Sequence, residues 1–247
     1  MNKQRFASAC ETVFNTAQEQ GQQRKIGTLG EKVLHAVLKH YIEPDETKHE
    51  VKVGSFYADI VNDHGIFEIQ TRSFFALRKK LEVFLEISPV TVVYPIPGTK
   101  WLLWIDPETG EVTKKRKSPK RGGENDAFSE LFRIKHLLDH ENFHLLIMFL
   151  DVEEYRYLDG WSENRKRGSS RCDRIPVDIV GEVCFNKTAD YLQFIPEGLP
   201  CNFTSKDYKR AANVSLRTAQ TALNILHQLS VVQRVGKKGN LYVYGRV

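Results

Sequence analysis

From Tyr57 to Thr71 two short runs rich in aromatic and β-branched residues flank one tight polar turn, a pattern that reads as a β-hairpin. Tyr57-Ala58-Asp59-Ile60-Val61 reads as a strand, Asn62-Asp63-His64-Gly65 as the turn, and Ile66-Phe67-Glu68-Ile69-Gln70-Thr71 as the returning strand. Strand side chains alternate between faces, so Glu68 and Gln70 share one face while Phe67 and Ile69 take the other. Pairing Val61 with Ile66 sets Asp59 opposite Glu68, with the side chains about 5 Å apart. Carboxylates that close repel unless a cation sits between them, and hard Mg²⁺, with Mn²⁺ as a substitute, prefers such oxygen ligands. The same pair on the polar face of an exposed hairpin would need no ion, and the hairpin alone leaves both readings open. His64, in the turn, is expected to be solvated.

The flanking segments add an order of elements. A polar N-terminal helical segment (residues 1–27) buries Phe6, Ala9, Val13 and Phe14, and Thr28 is placed to cap a second helix. Leu29, Val33, Leu34, Val37, Leu38 and Tyr41 give that helix a buried stripe. A strand is expected at His49 to Val53, before the hairpin. An amphipathic helix follows from Phe74 to Glu86, with Leu77, Leu81, Phe84 and Leu85 inward and Arg78, Lys79 and Lys80 outward. Pro89 ends it, and Val90 to Tyr94 is an apolar strand of the kind buried in a sheet.

Asp59 before a hairpin, the triplet Glu68-Ile69-Gln70 after it, Glu31 on the preceding helix and this element order together resemble the PD-(D/E)xK nuclease superfamily, over roughly residues 28 to 96. The resemblance implies an α/β fold, a restriction-endonuclease-like mixed sheet core flanked by helices, occupying residues 28–200. It further implies a Mg²⁺ ion held by Asp59, Glu68 and Glu31 for phosphodiester hydrolysis, with Gln70 positioning water. Gln70 stands where the family pattern has lysine, and an amide is neither a cation nor a useful base. A catalytically inactive DNA-binding regulator on the same scaffold therefore stays open beside the endonuclease. Lys79 and Lys80 are candidates to contact a phosphate, although a solvated helix face is the simpler expectation.

Residues 201–247 read as a small C-terminal domain. Thr204 to Asp207 starts a short helix through Tyr208, Ala211 and Ala212. Ser215 then caps a helix from Leu216 to Leu229, with Arg217, Thr218, Gln220, Thr221, Asn224 and Gln228 left outside. Val231 to Val235 is expected to pair with Asn240 to Tyr244 across Gly236-Lys237-Lys238-Gly239. This resembles a winged helix-turn-helix, whose second helix enters a DNA major groove while the wing touches the backbone. Eight Lys or Arg face one Asp here, a balance of +7 against +5 for the whole chain, so the positive field is concentrated in this module. Winged helices also bind proteins, and that use remains the alternative.

Residues 97–200 are harder to read. Trp101 to Ile105 and Glu111 to Thr113 suggest a hairpin, and Lys115, Arg116 and Lys117 belong to a basic loop that is either solvated or a phosphate contact. Ala127 to Leu138 suggests a helix and His144 to Leu150 a buried strand, closed by Asp151, Glu153 and Glu154, which are expected to be exposed strand-end carboxylates, with a second acidic site as the alternative. Trp161 to Arg174, with Arg165-Lys166-Arg167-Gly168 and Arg171, looks flexible until nucleic acid arrives. Four scattered cysteines without CxxC spacing indicate neither zinc nor disulfides, and no Walker A or Rossmann glycine pattern appears, so no nucleotide cofactor is expected. No apolar run is long enough for a signal peptide or a membrane span. The expected protein is cytoplasmic and binds DNA, double-stranded by preference; cutting both strands points to a homodimer.

Overall fold

The computed structural model describes residues 1–19, 30–71, 73–159 and 170–246. Thr28 and the Arg165-Lys166-Arg167-Gly168 run lie outside them. Helix α1 (Lys3–Glu19) and helix α2 (Gly30–Ile42) precede a three-strand meander, β1 (His49–Val53), β2 (Phe56–Asn62) and β3 (Gly65–Ile69). Val61 pairs with Ile66 and Asn62 with Gly65, the register expected from the turn. Gly65 is required at that turn: its φ is +113°, and a Cβ there would lie 2.4 Å from the Pro89 carbonyl oxygen. The close approach lets Ile66 N–H donate to Pro89 O at 2.8 Å and sets β3 beside the next strand.

After a 3₁₀ turn at Phe74–Leu77, helix α3 (Arg78–Phe84) returns the chain to β4 (Val90–Ile105). Val90–Tyr94 and Trp101–Ile105, read separately from the sequence, are parts of this one 16-residue strand. It passes through Pro95 and Pro97 with an irregularity between Pro97 and Lys100. The expected partner hairpin reduces to β5 (Arg116–Lys117), which pairs with Trp101 and Leu102, and one bridge from Ile105 to Val112. The segment expected to be one helix to Leu138 is a single α-turn, α4 (Phe128–Leu131), between 3₁₀ stretches, with Ile134 departing from helical geometry.

Two long strands complete the sheet, β6 (Phe143–Tyr157) and β7 (Arg171–Phe185). The order is β1-β2-β3-β4-β6-β7, with β5 on β4. The β3–β4 and β4–β6 pairs are parallel and the others antiparallel, so the molecule is α/β with a mixed sheet flanked by helices. Strand β7 replaces part of the stretch expected to be flexible.

One face of the sheet is covered by α1 and α2, where Phe6, Val33, Leu34, Val37 and Leu38 pack on Ile60, Ile69, Val93, Met148 and Leu150. The opposite face is covered by the Phe74–Leu77 turn, α3 and α4, through Phe74, Leu81, Phe84 and Phe128 on Val92, Leu145 and Phe185. Each such side chain buried contributes about 1.5–3 kcal/mol.

This second core continues without a break into the C-terminal elements β8 (Asn202–Thr204), α5 (Ser205–Ala211), α6 (Leu216–Gln228), β9 (Val232–Lys238) and β10 (Leu241–Arg246). Asp207 accepts from both Thr204 N–H and the Thr204 hydroxyl at the start of α5, and Asn213 takes φ +52° to end it. The Ser215 hydroxyl accepts Thr218 N–H at 3.0 Å, capping α6. Strands β8, β10 and β9 form a separate three-stranded antiparallel sheet. β9 runs through Lys238, so the reversal falls at Gly239-Asn240 and not across Gly236 to Gly239 as expected. Tyr208, fully buried, donates its hydroxyl to Phe194 O at 2.7 Å, tying α5 to the sheet domain.

Candidate functional site

The ladder between β2 and β3 has Ile60 and Phe67 as its last paired residues, and Asp59 and Glu68 come next on each strand. There the side chains replace the backbone bonds. Ile69 N–H donates to Asp59 Oδ2 at 2.7 Å, and Asp59 N–H donates to Glu68 Oε1 at 3.2 Å. The hairpin is thus opened at the point where both carboxylates lie, and both are buried. The expected face-to-face approach becomes a reciprocal exchange: each acid reaches across to the other strand's backbone.

Helices on opposite faces of the sheet each deliver a partner. From α2, His35 Nε2 lies 3.1 Å from Asp59 Oδ2. From α3, Lys80 Nζ lies 2.7 Å from Glu68 Oε2. Lys80 is therefore not on a solvated helix face, while Lys79 is exposed. Burial pushes the Asp59 carboxyl up, but the His35 contact, the Ile69 N–H and the Lys80 charge outweigh it and hold the pKa below the usual value. Burial and then the Asp59 charge push Glu68 up to about 7, against the pull of Lys80. Two neighbouring acids driven apart in this way keep one ready to ionise only as the local positive charge grows.

Gln70 follows β3 and donates its N–H to Val93 O at 2.9 Å. With His35, Ala36, Lys39, Glu50, Ile69 and Thr71 it lines an open cleft of about 520 Å³ beside Asp59. Lys39 and Glu50 pair across part of this cleft at 2.6 Å, and Glu50 has φ +50°, a left-handed conformation uncommon in a strand. Glu31 lies on α2 one helical turn before His35; its side chain is outside the described residues. Among the described residues, no group of three or more His, Cys, Asp or Glu is placed to hold a metal ion. His64 is exposed in its turn, as expected.

The other predicted contacts divide. On α6, Arg217 and Gln220 are exposed and Thr218 and Thr221 half-buried, the Thr221 hydroxyl donating to Arg217 O. Gln228 is exposed as expected and Asn224 is half-buried, and both also meet the sheet domain: Lys135 Nζ donates to Asn224 Oδ1, and Gln228 Nε2 to Lys135 O at 2.7 Å. Lys237 and Lys238 are exposed on β9, and Lys237 stands over the Tyr242 ring with Arg234 nearby at 4.0 Å from the centroid. Lys115 pairs with Glu153 at 2.6 Å and, like Lys117, stands over Trp101, whereas Arg116 points to the opposite face of β5.

Glu154 corrects the expectation of exposed strand-end acids. It is fully buried, with Arg156 Nε at 2.8 Å, Arg174 Nη2 at 3.1 Å and Lys100 Nζ at 3.4 Å. Sequence reading passed over these cations and His35. For His35 a signal existed, four residues after Glu31 and so on the same helix face; Arg156, two residues after Glu154, shares its strand face, whereas Lys100 and Arg174 meet Glu154 only through sheet register.

No helix among the described residues is long and apolar enough to cross a membrane. No solved structure matches the chain. A Treponema pallidum (strain Nichols) protein described as "Uncharacterized protein" is 28% identical over 221 residues, spanning 89% of this chain and 86% of its own length. Residues 32–186, well over half of the sequence, match the family described as Domain of unknown function (DUF8091), and the chain belongs to that family.

Proposed function

We propose that this chain is a metal-dependent DNA endonuclease with a restriction-endonuclease-like core, anchored on its substrate by a winged-helix C-terminal module. The observation that carries the reading is the opened hairpin, where buried Asp59 and Glu68 meet with Lys80 2.7 Å from Glu68. That geometry answers the difficulty raised by Gln70: the cation absent from the strand is supplied by α3. The donor set fits a hard divalent ion. Two carboxylates with oxygen atoms only, one of them raised to about 7 by burial and its neighbour's charge, form a pair that added positive charge would relieve. Asp59 and Glu68 would hold Mg²⁺, with Mn²⁺ as a substitute and Glu31 as the further ligand implied by the family resemblance. Bound there, the ion would acidify an attacking water and neutralise the leaving oxygen.

The chain's own groups have separable tasks. His35 keeps Asp59 ionised and oriented. Lys80 keeps Glu68 in place and carries a positive charge to where a phosphoryl group gains negative charge. Gln70, on the cleft wall, orients water through its amide. Exposed Arg217 and Gln220 on α6, with Lys237 and Lys238 on β9, supply contacts to the duplex.

The test is cleavage of supercoiled plasmid, linear duplex and single-stranded DNA in Mg²⁺ or Mn²⁺. Metal-dependent cutting that vanishes in Asp59→Ala and Glu68→Ala supports the reading. Salt-sensitive DNA binding without cutting of any substrate would sink it in favour of the second reading, a DNA-binding regulator on an inactive nuclease scaffold. One observation favours that alternative: Glu68 already has Lys80 as its counter-charge, and no third metal-ligating group stands with the pair among the described residues.

A further inference from the structure

Lys39 lies one helical turn beyond His35 on α2, so the two side chains share a face, with Cβ atoms about 6 Å apart. His35 touches Asp59, and His35 and Lys39 both line the open cleft of about 520 Å³ beside that acid. The lysine side chain is only 15% exposed, and its charge is met by Glu50, whose carboxylate is 2.6 Å away and itself 58% exposed. A cation set into the cleft wall is thus covered by an anion that stands largely in solvent.

Glu50 reaches that position through an irregular backbone. Strand β1 pairs His49 with Ile60 and Val51 with Ala58, and the pair between them, Glu50 with Asp59, is skipped. A regular strand would set those two carboxylates side by side on one face. Instead Glu50 takes φ +50°, a conformation that a Cβ disfavours, and its carboxylate goes to Lys39. An exposed ion pair does little to offset such strain, because water competes for both charges. Strain held beside a cleft points to a task for the strained residue. To the lysine, the carboxylate offers what a phosphodiester offers, one negative charge shared between two acceptor oxygens.

We propose that Lys39 contacts a backbone phosphate of a DNA strand in this cleft, and that Glu50 is a latch that occupies the lysine until the strand displaces it. The latch rests on the nuclease reading of the cleft and adds a competitor built into the chain: DNA enters at the expense of the Lys39–Glu50 pair. A plain tie between α2 and β1 makes a different prediction. Removing either partner of a tie loosens the fold and leaves DNA binding alone, whereas removing the latch strengthens binding and removing the lysine weakens it.

The experiment is a fluorescence-anisotropy titration of a labelled duplex oligodeoxynucleotide with the full chain, in chelator so that no cutting intervenes. Proteins are wild type, Lys39→Met, Glu50→Gln, Glu50→Gly and the double variant of Lys39→Met with Glu50→Gln. Lys39→Met is expected to bind about tenfold more weakly, the size of one charge-assisted hydrogen bond, and to reduce the salt slope by about one unit. Glu50→Gln is expected to bind about threefold more tightly, since an exposed ion pair no longer has to be broken. In the double variant that gain disappears, because no lysine is left to release. Glu50→Gly suits the left-handed backbone, so it tests the latch even where another variant unfolds, and it should bind as tightly as Glu50→Gln. Equal affinity in wild type and every folded variant overturns the latch. So does a gain from Glu50→Gln that survives in the double variant, because it then comes from the general field of one removed charge. Plasmid cutting in Mg²⁺ by a protein whose variants all bind alike would leave the nuclease reading standing and the latch fallen. The expected affinities in a protein that cuts no substrate would keep the latch and end the nuclease reading.

Discussion

Lys80 Nζ stands 2.7 Å from Oε2 of Glu68, a carboxylate only 1% exposed. The pair joins a helix on one face of the sheet to the strand that ends the hairpin. Burial and the Asp59 charge raise Glu68 to about 7 in spite of Lys80, so the protonated acid is accessible at neutral pH. A raised carboxyl pKa favours the fold below the unfolded value near 4.5 and loses that contribution as pH rises through about 7. Removing the lysine raises the pKa further. Lys80→Met is therefore expected to cost about 1 kcal/mol more stability at pH 9 than at pH 6, equivalent to roughly one pH unit of added shift. Urea denaturation in chelator at the two pH values measures this; equal losses at both would show that the ion pair contributes nothing.

His35 acts on the other acid. Its Nε2 lies 3.1 Å from Asp59 Oδ2 and helps hold that carboxyl below its ordinary pKa, so His35→Leu should raise it. The titration of Asp59, followed by carboxyl-carbon NMR, is expected to move to higher pH, and on the proposed function the acid limb of the cleavage profile moves with it. An unchanged NMR titration would remove His35 from the account.

Glu154 is the opposite case in sign. Burial raises its pKa, but the Arg156 contact and the Lys100 and Arg174 charges prevail and hold it at about 2. Its contribution to stability is present above the unfolded value near 4.5 and is lost as pH falls through about 2. At neutral pH it is on the order of 3 kcal/mol. Glu154→Gln should destabilise the protein at pH 7 and flatten its stability between pH 5 and 2, as urea denaturation across that range will report.

Gly65 tests the hairpin's seat. With φ at +113° and the Pro89 carbonyl 2.4 Å from any added Cβ, Gly65→Ala has to shift the β3–β4 junction. A loss of about 2–3 kcal/mol is expected from strain and displaced packing together, read as a lowered Tm. A Tm within a degree of wild type would contradict the close approach.

The polar positions of α6 should separate by role. Arg217→Ala is expected to weaken DNA binding and reduce its salt dependence by about one unit of slope, with stability unchanged. Gln228→Ala removes the bond to Lys135 O and should lower stability by about 1 kcal/mol with DNA binding retained. Gel-shift titrations at several salt concentrations, beside thermal melts, resolve the two; matching effects would mean that the helix has no distinct outer face.

The hairpin was legible because two apolar, β-branched runs closed by a four-residue polar turn fix register locally, and Val61 does pair with Ile66. Asp59 and Glu68 were legible for the same reason. What lay beyond was governed by distance in sequence. Lys80 reads as an outward helix residue until the helix is docked, and Glu154 as an exposed acid until Lys100 and Arg174 arrive on neighbouring strands. The length of β4 was hidden by Pro95 and Pro97, which locally argue against a strand. The segment after Phe128 was hidden by apolar spacing that also suits 3₁₀ turns. Strand β7 was missed because the basic residues at its start masked the alternation that follows, in Ile175, Val177 and Ile179.

The core that runs from the sheet into α5 and α6 has a consequence for reach. Tyr208 is hydrogen-bonded to Phe194 and α6 to Lys135, so no swinging tether governs the separation of α6 from the hairpin; side-chain packing sets it. On the proposed function the protein is a caliper with a locked gap, and its cuts should fall at a constant offset from the sequence that α6 grips.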